Sequence, residues 1–92
     1  MGILTLRVKR KYWLQIQDGS KPEEFRLVTD YWSKRLVGKT FDAIHVINGY
    51  PGPAEAPGKT LIRPWRGFSI GTIQHPHFGP GTHEVFKIVV NV

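Results

Sequence analysis

Apolar and polar residues alternate near the start of the chain and again over Glu23–Val28, and each alternation predicts a half-buried strand. Ile3, Leu4, Leu6 and Val8 open the first, with Thr5 and Arg7 on the alternate face. The period then changes. Over Lys11–Asp18, Tyr12, Trp13, Leu14 and Ile16 supply apolar positions three and four apart, which predicts a helix closed by Gly19. Pro22 forbids its continuation. Glu23–Val28 alternates again, with Phe25 and Leu27 on one face and Glu24, Arg26 and Val28 on the other. Thr29 or Asp30 can cap a second helix over Tyr31–Leu36, which stops before Gly38. Phe41–Ile47 is a third strand, ended by the turn residues Asn48-Gly49-Tyr50.

Four prolines and three glycines fall between Gly49 and Pro64, so this stretch is expected to be a long surface loop without a helix or central strand. Trp65–Gln74 predicts a fourth strand, His75 to Gly81 a turn, and Glu84–Val92 a strongly apolar fifth strand. The order β-α-β-α-β-β-β predicts a single α+β domain over residues 1–92. Five short strands are expected to curl into a closed or partly closed barrel, which removes exposed edges, with the two helices at its side.

Composition narrows the chemistry. The chain has 92 residues and no cysteine, which excludes a disulfide framework, a thiolate metal site and a Cys nucleophile. Thirteen Lys and Arg against seven Asp and Glu give a net charge of +6. An excess of that size in so short a chain favours a polyanion or an anionic small molecule as partner. No apolar run approaches the ~20 residues of a membrane span. The opening residues carry no long apolar signal region, and Leu6 stands where a myristoylation signal has Ser or Thr. A cytoplasmic protein without a membrane partner is the expectation.

Three constellations could carry chemistry. The first is Gly19-Ser-Lys21-Pro-Glu-Glu24-Phe-Arg26, where a helix end and the next strand hold opposite charges together. On spacing alone it reads equally as a solvated edge whose ion pairs contribute little. The second is Tyr31-Trp32-Ser-Lys34-Arg35 together with Arg63-Pro-Trp65-Arg66. Each sets a flat ring beside cations, as stacking on a base and holding its phosphate require, although Trp32 and Trp65 suit the wall of a thin core equally well. Lys9-Arg10-Lys11 adds a basic corner. The third is His75-Pro-His77, with His45 and His83 elsewhere. Without cysteine or a nearby carboxylate this pattern points away from a metal and toward turn histidines, or one histidine that contacts a ligand in a cleft. Gly38-Lys39-Thr40 and Gly58-Lys59-Thr60 imitate the end of a phosphate-binding loop. Ser33 and Pro53 stand where that loop needs an earlier glycine.

The G-x-K-x-x-E-x-R spacing of Gly19, Lys21, Glu24 and Arg26, after a strand-then-helix opening, resembles the signature of the ASCH domain, a relative of PUA domains. Asp30–Leu36, Phe41–Tyr50, Arg63–Phe68, Gly71–Ile73 and Val85–Ile88 resemble small bacterial and phage members of that family, so the resemblance spans nearly the whole chain. It implies a PUA-like β-barrel with a cleft beside the motif, whose rim the family's geometry would give to His77 and Phe78, and RNA or a nucleotide-like molecule as ligand, with no cofactor. The ligand set it suggests is Lys21, Glu24, Arg26, Trp32, Lys34, Arg35, Trp65, Arg66 and His77.

An enzymatic subgroup of the family deacetylates N4-acetylcytidine with a Lys, a Thr and a Glu. The resemblance lays its Lys on Lys21 and makes Lys21 and Glu24 the catalytic pair if the chain is such an amidohydrolase. Glu24 is a departure, because it occupies the position of the subgroup's Thr. Cleavage of RNA, suggested for other members, is a further alternative. A lysine acts as a base only where burial or neighbouring cations disfavour its charge, and an adjacent carboxylate does the opposite.

Overall fold

A computed structural model describes residues 2–91 as a small α+β domain of six strands and two helices. The strands are β1 (Ile3–Val8), β2 (Glu23–Leu27), β3 (Ala43–Asn48), β4 (Thr60–Pro64), β5 (Phe68–Ile73) and β6 (His83–Val89). The helices are α1 (Arg10–Asp18) and α2 (Asp30–Leu36). Two three-stranded sheets form, in the orders β1-β3-β4 and β2-β6-β5. β1 runs parallel to β3, and the other pairs are antiparallel.

The alternation seen in the sequence places the core. Leu4, Leu6 and Val8 of β1 and Ile44 and Val46 of β3 are buried against Phe86 and Ile88 of β6. Trp13 and Ile16 of α1 and Leu36 of α2 close over them, while Leu14 turns outward. The indole N–H of Trp13 donates to the Val46 carbonyl at 3.0 Å, pinning α1 to β3. The Thr29 hydroxyl accepts from the Trp32 backbone N–H at 3.3 Å and caps α2.

Three corrections to the expected architecture follow. There are six strands, because the predicted loop 49–64 contains β4 as well as a short 3-10 turn over Ala56–Lys59. Among the described residues β4 pairs only with β3, and an edge strand tolerates Pro64 at its last position because one side of its backbone needs no ladder partner. The predicted strand 65–74 contracts to β5, since Gly67, at φ +83°, supplies the turn after β4. The last strand ends at Val89, and Val92 of the predicted range lies outside the described residues.

Among the described residues no ladder joins the two sheets into a closed barrel; side chains join them instead. Arg26 of β2 donates to the Arg7 carbonyl of β1 at 2.9 Å. Arg63 of β4 donates to the carbonyl of Val90, just past β6, at 3.1 Å and to that of Ile16 in α1 at 3.4 Å. Among the described residues no helix is long and apolar enough to cross a membrane.

Candidate functional site

The turn from α1 into β2 builds the floor of a cleft. Gly19 takes the left-handed conformation, at φ +89°, that lets the chain leave the helix, and its N–H reaches the Ile16 carbonyl. The Lys21 N–H then donates to the Gln15 carbonyl at 3.0 Å, fixing where its side chain starts. Pro22 ends the turn and β2 begins.

β2 carries Glu24 and Arg26 on its inner face. Glu24 stands opposite Ile88, and Arg26 opposite Phe86, both fully buried partners on β6. Directly opposed residues of an antiparallel pair share a face, so Glu24 and Arg26 point the way the core does. Glu24 is only 5% exposed. Its two carboxylate oxygens have separate partners: Oε1 lies 3.6 Å from Lys21 Nζ, and Oε2 lies 3.2 Å from an Arg26 guanidinium nitrogen. A solvated edge with weak ion pairs is therefore not what the motif forms. Burial without those two cations would be prohibitive for a carboxylate.

Aromatic rings surround this triad. The Lys21 ammonium lies 4.3 Å from the Phe25 ring centroid and 5.3 Å from that of Tyr12. Arg26 lies over the Trp32 ring at 5.3 Å. Above Lys21, Tyr12 meets His75 and His77 edge to face at 5.7 and 5.8 Å. The cleft so bounded has a volume of about 290 Å³, near the lower end of the ~300–1,000 Å³ usual for small-molecule sites. Its walls are Arg7, Val8 and Lys9, Tyr12, the segment Lys21 and Glu24–Arg26, Gly49 and Tyr50, and His75, His77 and Phe78. Four cations thus face one carboxylate among aromatic rings, an arrangement that favours a flat, anionic or amino-bearing ligand.

His75 stands on the cleft wall. Its pKa lies below the ordinary histidine value, first because burial disfavours the charged ring and then because Lys21 repels it, with smaller repulsion from His77 and Lys11 and an opposing pull from Glu24. Its Nδ1 also accepts the His77 backbone N–H at 3.1 Å, capping the 3-10 turn Pro76–Phe78. A histidine depressed in the folded state takes up its proton more readily when unfolded. Its contribution to stability is present above the unfolded value near 6.5 and is lost as pH falls through the folded value. The His75 ring resonances should therefore titrate below pH 6.5 by NMR, and thermal stability should decline on acidification through that window. His75→Gln should flatten that part of the profile, and an ordinary His75 titration midpoint would refute the assignment.

Of the nine residues of the expected ligand set, Lys21, Glu24, Arg26 and His77 come together in the cleft. The others lie elsewhere. Trp32 packs against the core, and both Arg26 and Arg35 lie over its ring. Lys34 is exposed on α2, and Arg35 lies at the rim of a second cavity with Ile3, Lys39 and Phe41. Trp65 packs on Phe41 and Phe68, with centroids at 4.9 and 6.4 Å, which makes it a core wall. Arg66 is exposed in the β4–β5 turn. Of the basic corner, Lys9 lines the cleft.

Arg7, Tyr12, Phe25, Tyr50, His75 and Phe78 complete the walls without having been singled out as ligand residues. They come from five separate segments, and only long-range packing joins them. His75, two residues from His77, and Phe78, expected with His77 at the pocket rim, carried the local signals. Among the described residues no group of three or more His, Asp or Glu side chains could hold a metal ion. The chain matches no family model, no curated protein and no solved structure.

Proposed function

We propose that the cleft binds a nucleobase or nucleoside, presented by RNA or by a nucleotide, and that the chain is an ASCH-like binding module. The observation that carries this reading is the buried Glu24 carboxylate at the base of an otherwise cationic, aromatic-walled cleft. A carboxylate accepts from the exocyclic amino group of a base, as Glu and Asp do from cytosine. Lys21 and Arg26 hold carbonyl or phosphate oxygens, and the surrounding rings offer faces and edges to a planar heterocycle. Arg26 Nε supports a polar ligand, because it is buried with no hydrogen-bond partner, and buried donors are rarely left so.

The two sheets are, on this reading, the halves of a PUA-like barrel opened along the cleft. The Arg26–Arg7 bond supports it, since it brings β1 and β2 side by side where a ladder would otherwise close. Hydrolysis of an acylated nucleoside has less support. The nearest neighbours of Lys21 are a carboxylate and two ring faces, all of which attract a cation. A proton-abstracting lysine needs the reverse.

The test is an NMR titration with cytidine, cytidine 5′-monophosphate, N4-acetylcytidine and a short single-stranded RNA at low salt. Binding should shift resonances of Lys21, Glu24 and Arg26. Lys21→Ala should weaken it roughly 10- to 100-fold, the worth of a charge-assisted hydrogen bond. Absence of binding at low salt, or binding unchanged in Lys21→Ala, would reject the reading. Turnover of N4-acetylcytidine that Lys21→Ala abolishes would replace it with the amidohydrolase.

A further inference from the structure

Tyr50 is the most exposed large hydrophobic side chain described, 86% accessible, yet its ring has a partner. It follows Gly49, whose φ of +68° turns the chain sharply after β3. The Gly49 N–H donates to the Val8 carbonyl at 2.9 Å, and its carbonyl accepts from Arg7 at 3.3 Å. The Arg7 guanidinium in turn lies over the Tyr50 ring, 4.8 Å from its centroid. A ring held on one side by a cation and otherwise in water is not serving the core. It stands at the lip of the same cleft that Glu24 floors.

We propose that Tyr50 and Arg7 form an outer stacking subsite, so that the occupant of the cleft is one base of a single strand whose neighbouring base stacks on Tyr50. This rests on the base-binding reading of the cleft and extends it from a nucleoside to an oligonucleotide. The chemistry of the lip selects the partner. A flat ring offers a face to any base without reading its sequence, and its cation suits the phosphate that links two bases. Lys9, on the same wall, adds charge for that backbone. An Arg-backed ring beside four cations and one buried acid disfavours a basic peptide and has no groove for an apolar one. A base pair in a duplex cannot supply both contacts, because a stacked neighbour and an inserted base require the strand to open.

Calorimetric titration with cytidine 5′-monophosphate, with pentacytidylate as RNA and as DNA, and with a short duplex would test this. The pentanucleotides should bind more tightly than the mononucleotide and than the duplex, and with a steeper loss of affinity on adding salt. Tyr50→Ala should lower pentanucleotide affinity about 5- to 100-fold, and by at least fivefold more than it lowers mononucleotide affinity, while Tyr50→Trp should keep it. Exposure of the side chain means that the variants should fold, which circular dichroism checks. Equal affinity for mononucleotide and pentanucleotide, or equal losses of both in Tyr50→Ala, would overturn the outer subsite while leaving the base cleft standing. Failure of mononucleotide and pentanucleotide alike would overturn the cleft reading and this subsite with it.

Discussion

Replacing Glu24 by alanine is expected to destabilise the domain by about 3–5 kcal/mol, a large share of the ~5–15 kcal/mol that holds a small domain folded. The loss comes from what stays behind. Lys21 and Arg26, with side chains only 11% and 18% exposed, would face each other across a vacated space with no counter-charge. Arg26 cannot simply swing into water, because its guanidinium is also bonded to the Arg7 carbonyl and lies over Trp32. At about 4–8 °C per kcal/mol for a domain of this size, Tm should fall by at least about 12 °C in a thermal melt. Glu24→Gln keeps the shape and one acceptor oxygen and should lose less. A change under about 1 kcal/mol in Glu24→Ala would mean that the triad behaves as a surface ion pair and that the carboxylate is not desolvated.

That prediction could not be made from the sequence, and the reason is physical. Alternation along Glu23–Val28 separates two faces but does not say which faces inward. With Phe25 and Leu27 on one face and Glu24 and Arg26 on the other, local hydrophobicity points the wrong way. The inner face was chosen by the pairing of β2 with β6, a contact between residues some sixty positions apart. β1 and β3 were legible because Leu4, Leu6, Ile44 and Val46 repeat the period of a half-buried strand within their own segments, and β6 because it is a strongly apolar run, buried at Val85, Phe86 and Ile88.

β4 was obscured by the prolines around it. Thr60-Leu61-Ile62-Arg63 is a fair run of strand formers, but as an edge strand it owes its existence to β3 alone. The G-x-K-x-x-E-x-R spacing marked the floor of the cleft, since a tight helix-to-strand turn brings its members together locally. The aromatic walls were not legible. Tyr12 reads as a helix core position and Tyr50 as turn chemistry until the fold sets them around one space. Trp65 offered the stronger sequence signal for stacking, with an arginine on either side, and it packs on Phe41 and Phe68.

Converting the whole triad to apolar residues, Lys21→Met, Glu24→Leu and Arg26→Met together, should restore most of the stability that Glu24→Ala loses. Apolar replacement of a buried ionic triad is often neutral or stabilising by about 1–4 kcal/mol, because the cost of desolvating three charges disappears with them. Here the gain is offset by the lost Arg26 bond to the Arg7 carbonyl, worth about 1 kcal/mol, although Arg7 is exposed and water can take its place. The triple variant should therefore denature within about 1–2 kcal/mol of the parent in urea. Its affinity for cytidine 5′-monophosphate should nevertheless be abolished. The two measurements together separate the reasons a fold keeps charge in its interior. If the triple variant is as unstable as Glu24→Ala, the three charges are a framework that orders β2 against β1. If it is stable but no longer binds, the triad is held against its desolvation cost by the ligand it recognises, and the fold around it needs only three side chains of the right volume.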